Sequence, residues 1–269
     1  MQILSQLTYE MQIFFVVVLG LIFGSFGTLV SYRLAHKQPI GFTRSKCLSC
    51  GHFLKAWNLI PLFSWIFQRG KCSSCHAKIS LRYPLIELGF LLSFLLIFFA
   101  LGQNLDAKTF LYFAIAGTLI VMVVVDLEEY FIPDSTQYFL AILATISLIM
   151  QGGTAAVLAN IPDAFLFLGS GIALWIFFHF AAGVDALGID DIKFFFIAGF
   201  MLGTKNILTF MLLSGVFGML FGSLWQKFKK DSTFPFAPAI CLSTLVCLLF
   251  QKKINPVDLL GSMLFFNNF

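Results

Sequence analysis

The sequence predicts an all-α polytopic membrane protein with about eight transmembrane helices and one cytoplasmic zinc-binding insertion. Composition is the first reason: 59% of the 269 residues are hydrophobic, 11% are charged, and the mean hydropathy is +0.92. No ordinary soluble domain could bury so much apolar surface. The other two reasons are a series of long charge-free runs and two Cys-x-x-Cys pairs in one polar segment. We therefore expect contact with membrane lipid and no nucleic-acid partner.

Seven charge-free runs are long enough to cross a bilayer, which takes about 17 to 20 apolar residues. They cover residues 11–32, 88–105, 109–125, 135–162, 164–184, 206–226 and 232–251. An eighth run, residues 194–204, is shorter, so its helix must begin near Leu187 if it is to span. The spacing of these runs predicts about eight membrane helices.

Charge placement predicts the orientation of the helices. Nine of the 17 Lys and Arg residues lie between the first two runs, and the positive-inside rule puts that segment in the cytoplasm. Counting crossings from there returns residues 126–134 and 183–191 to the cytoplasmic side. Lys252 and Lys253 would then fall outside, against the rule, and the topology of the tail at 259–269 stays unassigned. We expect a multi-pass membrane protein that keeps its first helix as an anchor.

The polar segment, residues 33–83, carries four cysteines in two Cys-x-x-Cys pairs, Cys47 with Cys50 and Cys72 with Cys75. Four thiolates in this pattern suit a structural zinc ion held tetrahedrally. Disulfides are the alternative, which a reducing cytoplasm disfavours. The remaining cysteines, Cys241 and Cys247, are expected to be small buried apolar residues.

Two acidic segments end long apolar runs, residues 124–134 with Asp126 and residues 185–193 with Asp191. Ionisable groups at such positions are candidates for function. Solvated helix ends are the alternative, and a helix dipole would favour carboxylates at Asp190 and Asp191. Two carboxylates at one membrane face could instead share a proton and activate water, which would hydrolyse a peptide bond without a metal. Asp134 is expected to cap the helix that follows Pro133.

At these residues the chain resembles the bacterial type IV prepilin peptidases, also called leader peptidase/methyltransferases, a family of intramembrane aspartyl peptidases. The resemblance covers nearly the whole chain. It is carried by Gly24-Ser25-Phe26, Tyr32-Arg33-Leu34, Cys47-x-x-Cys50-Gly51-His52, Trp57-Asn58-Leu59-Ile60-Pro61, Ser64-Trp65, Arg69-Gly70-Lys71-Cys72-x-x-Cys75, Arg82-Tyr83-Pro84, Glu87, Asp126, Ile132-Pro133-Asp134 and the stretch 185–193. It implies a first transmembrane helix over 1–32, a four-cysteine zinc-binding insertion over 33–83 and a peptidase domain over 84–269.

The family motif Gly-x-Gly-Asp aligns with Gly188 to Asp191, so the resemblance makes Asp126 and Asp191 the catalytic pair. It also implies the substrate, the precursor of a type IV pilin or of a pilin-like subunit of type II secretion. The family removes the leader at the cytoplasmic face and can methylate the new N-terminus with S-adenosylmethionine. The chain departs from the family at Asp190, which replaces a glycine, at Thr28, which replaces an asparagine, and at Ala35, which replaces a proline.

Two other classes of protein fit parts of the sequence. An ion-coupled transporter could use both aspartates, although such sites usually lie near the bilayer midplane rather than at one edge. A zinc-dependent membrane scaffold would explain the insertion and leave the aspartates idle. Replacing either aspartate and measuring both cleavage and transport separates these interpretations.

Overall fold

The computed structural model describes residues 8–41, 44–183, 187–229 and 234–250, and these residues form α-helices joined by turns. The helices are α1 Tyr9–Ala35, α2 Phe63–Phe67, α3 Arg82–Ala100, α4 Ala107–Glu129, α5 Asp134–Ala182, α6 Ile189–Leu202, α7 Ile207–Lys229 and α8 Ala237–Phe250. Two short 3-10 helices lie at Ala56–Leu59 and Thr204–Asn206. Five helical segments, α1, α3, α4, α5 and α7 with its preceding 3-10 turn, are long and apolar enough to cross a membrane. The predicted all-helical, membrane-compatible fold is therefore confirmed.

The chain divides into two compact units, Met1–Val125 and Asp126–Phe269. In the first unit, α1 packs closely against α3 through glycines on one face of α1. A Cβ atom at Gly20 would lie 2.9 Å from Leu91 Cα, and one at Gly24 would lie 2.8 Å from Glu87 Cα. Only glycine lets the two backbones approach this far, which is how helices pack in lipid, where the hydrophobic effect contributes little.

Two side chains, one buried and one half-buried, hold the junction of the polar segment with the start of α3. Glu87 is 8% exposed, and its Oε2 accepts a hydrogen bond of 2.7 Å from the backbone N–H of Leu62. Arg82 donates to Thr28 O at 3.3 Å and to Ser31 Oγ at 2.9 Å. These contacts join the end of α1, the insertion and the start of α3, so Thr28 takes part in this junction.

In the second unit, α5 is two helices that meet at a break. Gly152 (φ −159°, ψ 20°) and Gly153 (φ 65°, ψ −156°) leave the helical conformation, and Gly153 takes a positive φ that other residues rarely adopt. We call residues 134–151 α5a and residues 154–182 α5b. The break therefore separates two apolar helices within what is otherwise one long helical stretch.

Contacts with α6 show that the chain reverses direction at this break. Along α5a, Gln137 contacts Asp190 near the start of α6, so α5a and α6 begin at the same end. Along α5b, Asp163 contacts Thr204 beyond the end of α6, and Gly171 lies against Phe195. α5b therefore runs antiparallel to α6, and α5a and α5b form a helical hairpin around it.

Two expectations about this region were wrong. The charge-free runs placed the division between spans at residue 163, whereas the helices divide at Gly152 and Gly153 and Pro162 lies inside α5b. Asp134 does not cap α5, because it is the first helical residue and the capping position is Pro133. The assignments of Asp185, Lys252, Lys253 and the tail at 259–269 lie outside the described residues.

Candidate active site

Asp126 lies in the last turn of α4, where the helix leaves its apolar stretch. It is 5% exposed, and α4 ends three residues later, with Tyr130 in the left-handed region at φ 57°. Asp126 Oδ2 accepts a hydrogen bond of 2.8 Å from the backbone N–H of Ala237, the first residue of α8. The unpaired N–H groups and the dipole at a helix start favour a carboxylate here. The carboxylate is thus buried and held by a helix far along the chain.

Asp191 lies in the first turn of α6 and is held in a similar way. Its Oδ2 accepts a hydrogen bond of 3.0 Å from the backbone N–H of Gly188, the residue that caps α6. The side chain is half-buried. Each aspartate therefore has one oxygen fixed by a backbone N–H group at a helix start.

The structure brings these aspartates into one neighbourhood of the second unit. Asp191 is within electrostatic reach of Asp126 and of Asp190. The buried thiol of Cys241, one turn into α8, is within reach of both Asp126 and Asp191. Cys241 and Cys247 are 1% and 3% exposed, as the sequence predicts. Asp126, Asp190 and Asp191 therefore lie near one another, whereas the membrane face that they share stays a prediction.

Asp190 and Asp191 are adjacent in sequence but have different partners. Asp190 Oδ1 lies 3.1 Å from Lys193 Nζ, which also lies 2.8 Å from Asp134 Oδ1. The three ion-paired side chains are partly exposed, whereas the Asp191 carboxylate accepts from the backbone N–H at the start of α6. The extra carboxylate that the sequence places at 190 is therefore partly neutralised by a lysine.

Sequence reasoning missed two groups at this site. Gln137 is 2% exposed, and its Nε2 donates to Asp190 O at 3.2 Å. The other is the backbone N–H of Ala237, which no side-chain pattern could reveal. A glutamine one turn after Pro133, inside a charge-free run, was the available signal for Gln137.

The four cysteines of the first unit also come together as predicted. The sulfurs of Cys47, Cys50, Cys72 and Cys75 all lie within 4.8 Å of one another. In a tetrahedral site with Zn–S bonds of about 2.3 Å, the sulfurs are about 3.8 Å apart, and Cys47 Sγ and Cys75 Sγ are 3.9 Å apart. The residues therefore fit a metal ion with four thiolate ligands.

Each cysteine pair sits on a tight turn of the same design. Cys47 N–H donates to His52 O, and Cys72 N–H donates to Ala77 O, both at 2.9 Å. The N–H groups of Cys50 and Ser49 lower the pKa of the Cys47 thiol to about 6. The thiolate is the form of cysteine that binds a metal ion.

Comparisons with known proteins match both parts of the chain. The sequence model of the bacterial peptidase A24 N-terminal domain matches residues 18–101, and that of the type IV leader peptidase family matches residues 113–223. No solved structure matches the chain.

Curated relatives match this chain over most of their length. Three of them are named prepilin leader peptidase/N-methyltransferase. The protein of Bacillus subtilis (strain 168) is 33% identical over 88% of this chain and 94% of its own. Those of Stutzerimonas stutzeri and Pseudomonas putida are 30% and 28% identical, over 88% and 91% of this chain and 90% and 93% of their own. Given this coverage and the match of its second unit, the chain belongs to the type IV leader peptidase family and is an aspartic peptidase.

Proposed function

We propose that this protein removes the leader peptide from type IV prepilin or type II secretion pseudopilin precursors, with Asp126 and Asp191 as its catalytic residues. The observation that carries the proposal is the pairing of these two carboxylates, each fixed through Oδ2 by a backbone N–H at a helix start. The names of the relatives support the substrate.

The arrangement suits hydrolysis by general acid and base. Two neighbouring carboxylates in a partly dry site share one proton, because ionising both is costly. The ionised carboxylate takes a proton from water while the water oxygen attacks the scissile carbonyl carbon. The protonated carboxylate gives its proton to the carbonyl oxygen. The C–N bond then breaks as the leaving amine takes the proton that the first carboxylate received from water, and the hydroxyl formed from the carbonyl oxygen returns its proton to the second carboxylate. Since Oδ2 of each aspartate is held, the carboxylates keep a fixed orientation during these transfers.

We assign the second role to Asp191 rather than Asp190. Asp190 shares Lys193 with Asp134, so its carboxylate is already engaged by a positively charged side chain. Asp191 has a backbone donor only, among the residues described, and is electrostatically coupled to Asp126. This supports the register in which Gly188 to Asp191 matches Gly-x-Gly-Asp.

Replacing single carboxylates tests the assignment. Asp126→Asn and Asp191→Asn should each lower cleavage of a synthetic precursor by about 100- to 10,000-fold, because general acid–base catalysis is lost. Asp190→Asn is the matched control and should keep substantial activity. Measurement of ion flux in the same variants addresses the transporter alternative. Normal processing by Asp126→Asn or Asp191→Asn would remove that residue from the pair.

We also propose that the thiolate cluster holds one structural zinc ion and that the protein N-methylates the product with S-adenosylmethionine. The four-sulfur geometry supports zinc, and the relatives' names support methylation. We place the protein in the bacterial inner membrane. The basic residues of the polar segment favour a position of that segment on the cytoplasmic side. That orientation would put the aspartates at the cytoplasmic face, where the leader of the precursor is found.

A further inference from the structure

A groove of about 360 Å³ runs between α5a, α5b and α6 in the second unit. Its walls are mainly apolar, from Ala141, Leu168, Phe196 and Ile197, and Asp134 and Lys193 line it as well. This volume lies near the lower end of the range for ligand pockets, about 300 to 1,000 Å³. An apolar groove with charged groups among its lining suits a segment that changes from charged to apolar along its length.

Gln137 also lines this groove and has an unused acceptor. Its Nε2 donates to Asp190 O, and because a carbonyl oxygen can only accept, this bond fixes which end of the amide is which. Oε1 is buried and accepts no hydrogen bond from the residues described. Buried polar atoms are nearly always paired, so this unpaired oxygen favours a ligand that supplies a donor, which it meets when the side chain turns toward the groove.

The groove adjoins the carboxylates through the same glutamine. Gln137 holds the backbone of Asp190, whose neighbour is the catalytic Asp191. A chain bound in the groove beside Gln137 would therefore be directed toward the catalytic pair. Residues 126–134 and 190–193 carry six carboxylates and one lysine, so this region suits a positively charged segment on the leader side.

We propose that this groove binds the apolar residues next to the scissile bond of the precursor, with Gln137 Oε1 accepting a hydrogen bond from a backbone N–H of the substrate. The inference rests on the proposed function. A lipid acyl chain would also fill apolar space, but it brings no donor for Oε1. An extended peptide brings an N–H at nearly every residue. Gln137 is thus a positioning residue that fixes the depth at which the chain is cut.

The test pairs enzyme variants with substrate variants. Synthetic precursors are made in which one backbone amide at a time, within about five residues of the scissile bond, is replaced by an ester that lacks the N–H. With the full-length wild-type enzyme, one ester position should lower kcat/KM by about tenfold, the effect of a lost hydrogen bond. Gln137→Met should show a similar loss with the normal precursor and no further loss with that ester. Gln151→Met, on the same helix, should behave as the wild-type enzyme.

If the loss from Gln137→Met and the loss from the ester multiply when the two are combined, the hydrogen bond is not the one proposed. The absence of any sensitive ester position would also overturn it. Ala141→Phe fills the groove without altering Gln137 and should raise KM, whereas Ala159→Phe, an exposed position on α5b, should not. If Ala141→Phe changes only the lipid retained on purification, the groove binds lipid and the proposal fails.

The proposed function can fail separately. If Asp126→Asn and Asp191→Asn cleave normally, the catalytic assignment is wrong. If both are inactive while Gln137→Met and Ala141→Phe cleave as wild type, only the groove is wrong.

Discussion

The cysteine cluster and the carboxylate site are assembled over very different distances along the chain. Each cysteine pair is fixed by a local turn. The backbone N–H of Cys47 donates to His52 O, and that of Cys72 donates to Ala77 O. The carboxylate site instead depends on a bond between residues 111 positions apart, Ala237 and Asp126. A local motif can be found from sequence spacing alone, whereas the other site exists only once its helices have packed. The two sites should therefore respond differently to mutation.

The largest expected effect is on the metal site. The wild-type protein should bind about one zinc ion per chain, and replacing Cys47 and Cys75 by Ser should abolish that binding. The insertion should then become sensitive to protease, because a bound metal supplies much of the folding free energy of so small a segment. Metal analysis and limited proteolysis measure this. Ser64→Ala is a control outside the cluster. A wild-type protein purified without chelator and free of zinc would contradict the assignment.

The same cysteine variants should affect N-methylation more than cleavage. In the proposed mechanism, cleavage needs the carboxylates of the second unit, whereas a methyl donor needs a site that we expect in the insertion or the end of α1. Mass spectrometry of the processed product should therefore show methylation falling more than cleavage. Equal loss of both would mean that the insertion also supports the peptidase site.

The long-range bond of the carboxylate site can be removed by Ala237→Pro. Proline has no N–H, and its fixed φ is acceptable at the first position of a helix. A hydrogen bond to a charged group contributes about 1.5 to 3 kcal/mol, so cleavage should fall by roughly 10- to 100-fold. Ala237→Ser keeps the N–H and should remain active. Precursor kinetics, with a thermal unfolding measurement as check, decide the outcome.

Glycine packing in the first unit should influence stability more than chemistry. Gly24→Ala places a Cβ about 2.8 Å from Glu87 Cα, so α1 and α3 must separate, which costs about 1 to 3 kcal/mol in the free energy of unfolding. Gly89→Ala, with nothing within 4 Å of its Cβ, is the matched control. Unfolding in detergent measures both. A drop in stability of equal size in the two variants would mean that helix approach is not the cause.

The smallest expected effect concerns the ion pair of Lys193 with Asp134. Both side chains are about half exposed, at 47% and 57%, and such pairs contribute about 0 to 1 kcal/mol. Asp134→Asn should therefore change the melting temperature little, and the change should shrink at high salt. A large loss of stability would show that the pair is shielded from solvent by its membrane surroundings.

The parts of this protein that sequence could predict are those with a local chemical pattern. The paired cysteines and the carboxylates at the ends of apolar runs are of this kind, and the structure brings each set together. The division of α5 was placed wrongly because the uncharged run continues past Gly152, while Pro162 and Asp163 looked like an end. A Gly-Gly pair in that run was the missed signal. Ala237 could not be predicted, since its contribution is a backbone N–H placed by tertiary packing.

The shortness of α6 has a consequence for the supply of water. Its 14 residues extend about 21 Å, whereas a hydrocarbon core is about 30 Å thick. Its far end is tied to α5b, where Asp163 accepts a hydrogen bond of 3.0 Å from Thr204 N–H. If the Asp163 end of α6 lies level with one membrane face, the missing length falls at the Asp191 end, and mismatch of this kind thins the bilayer locally. Hydrolysis consumes one water per cut, and a dent in the membrane above Asp191 would bring bulk water to a carboxylate that lies below the level of the surrounding lipid.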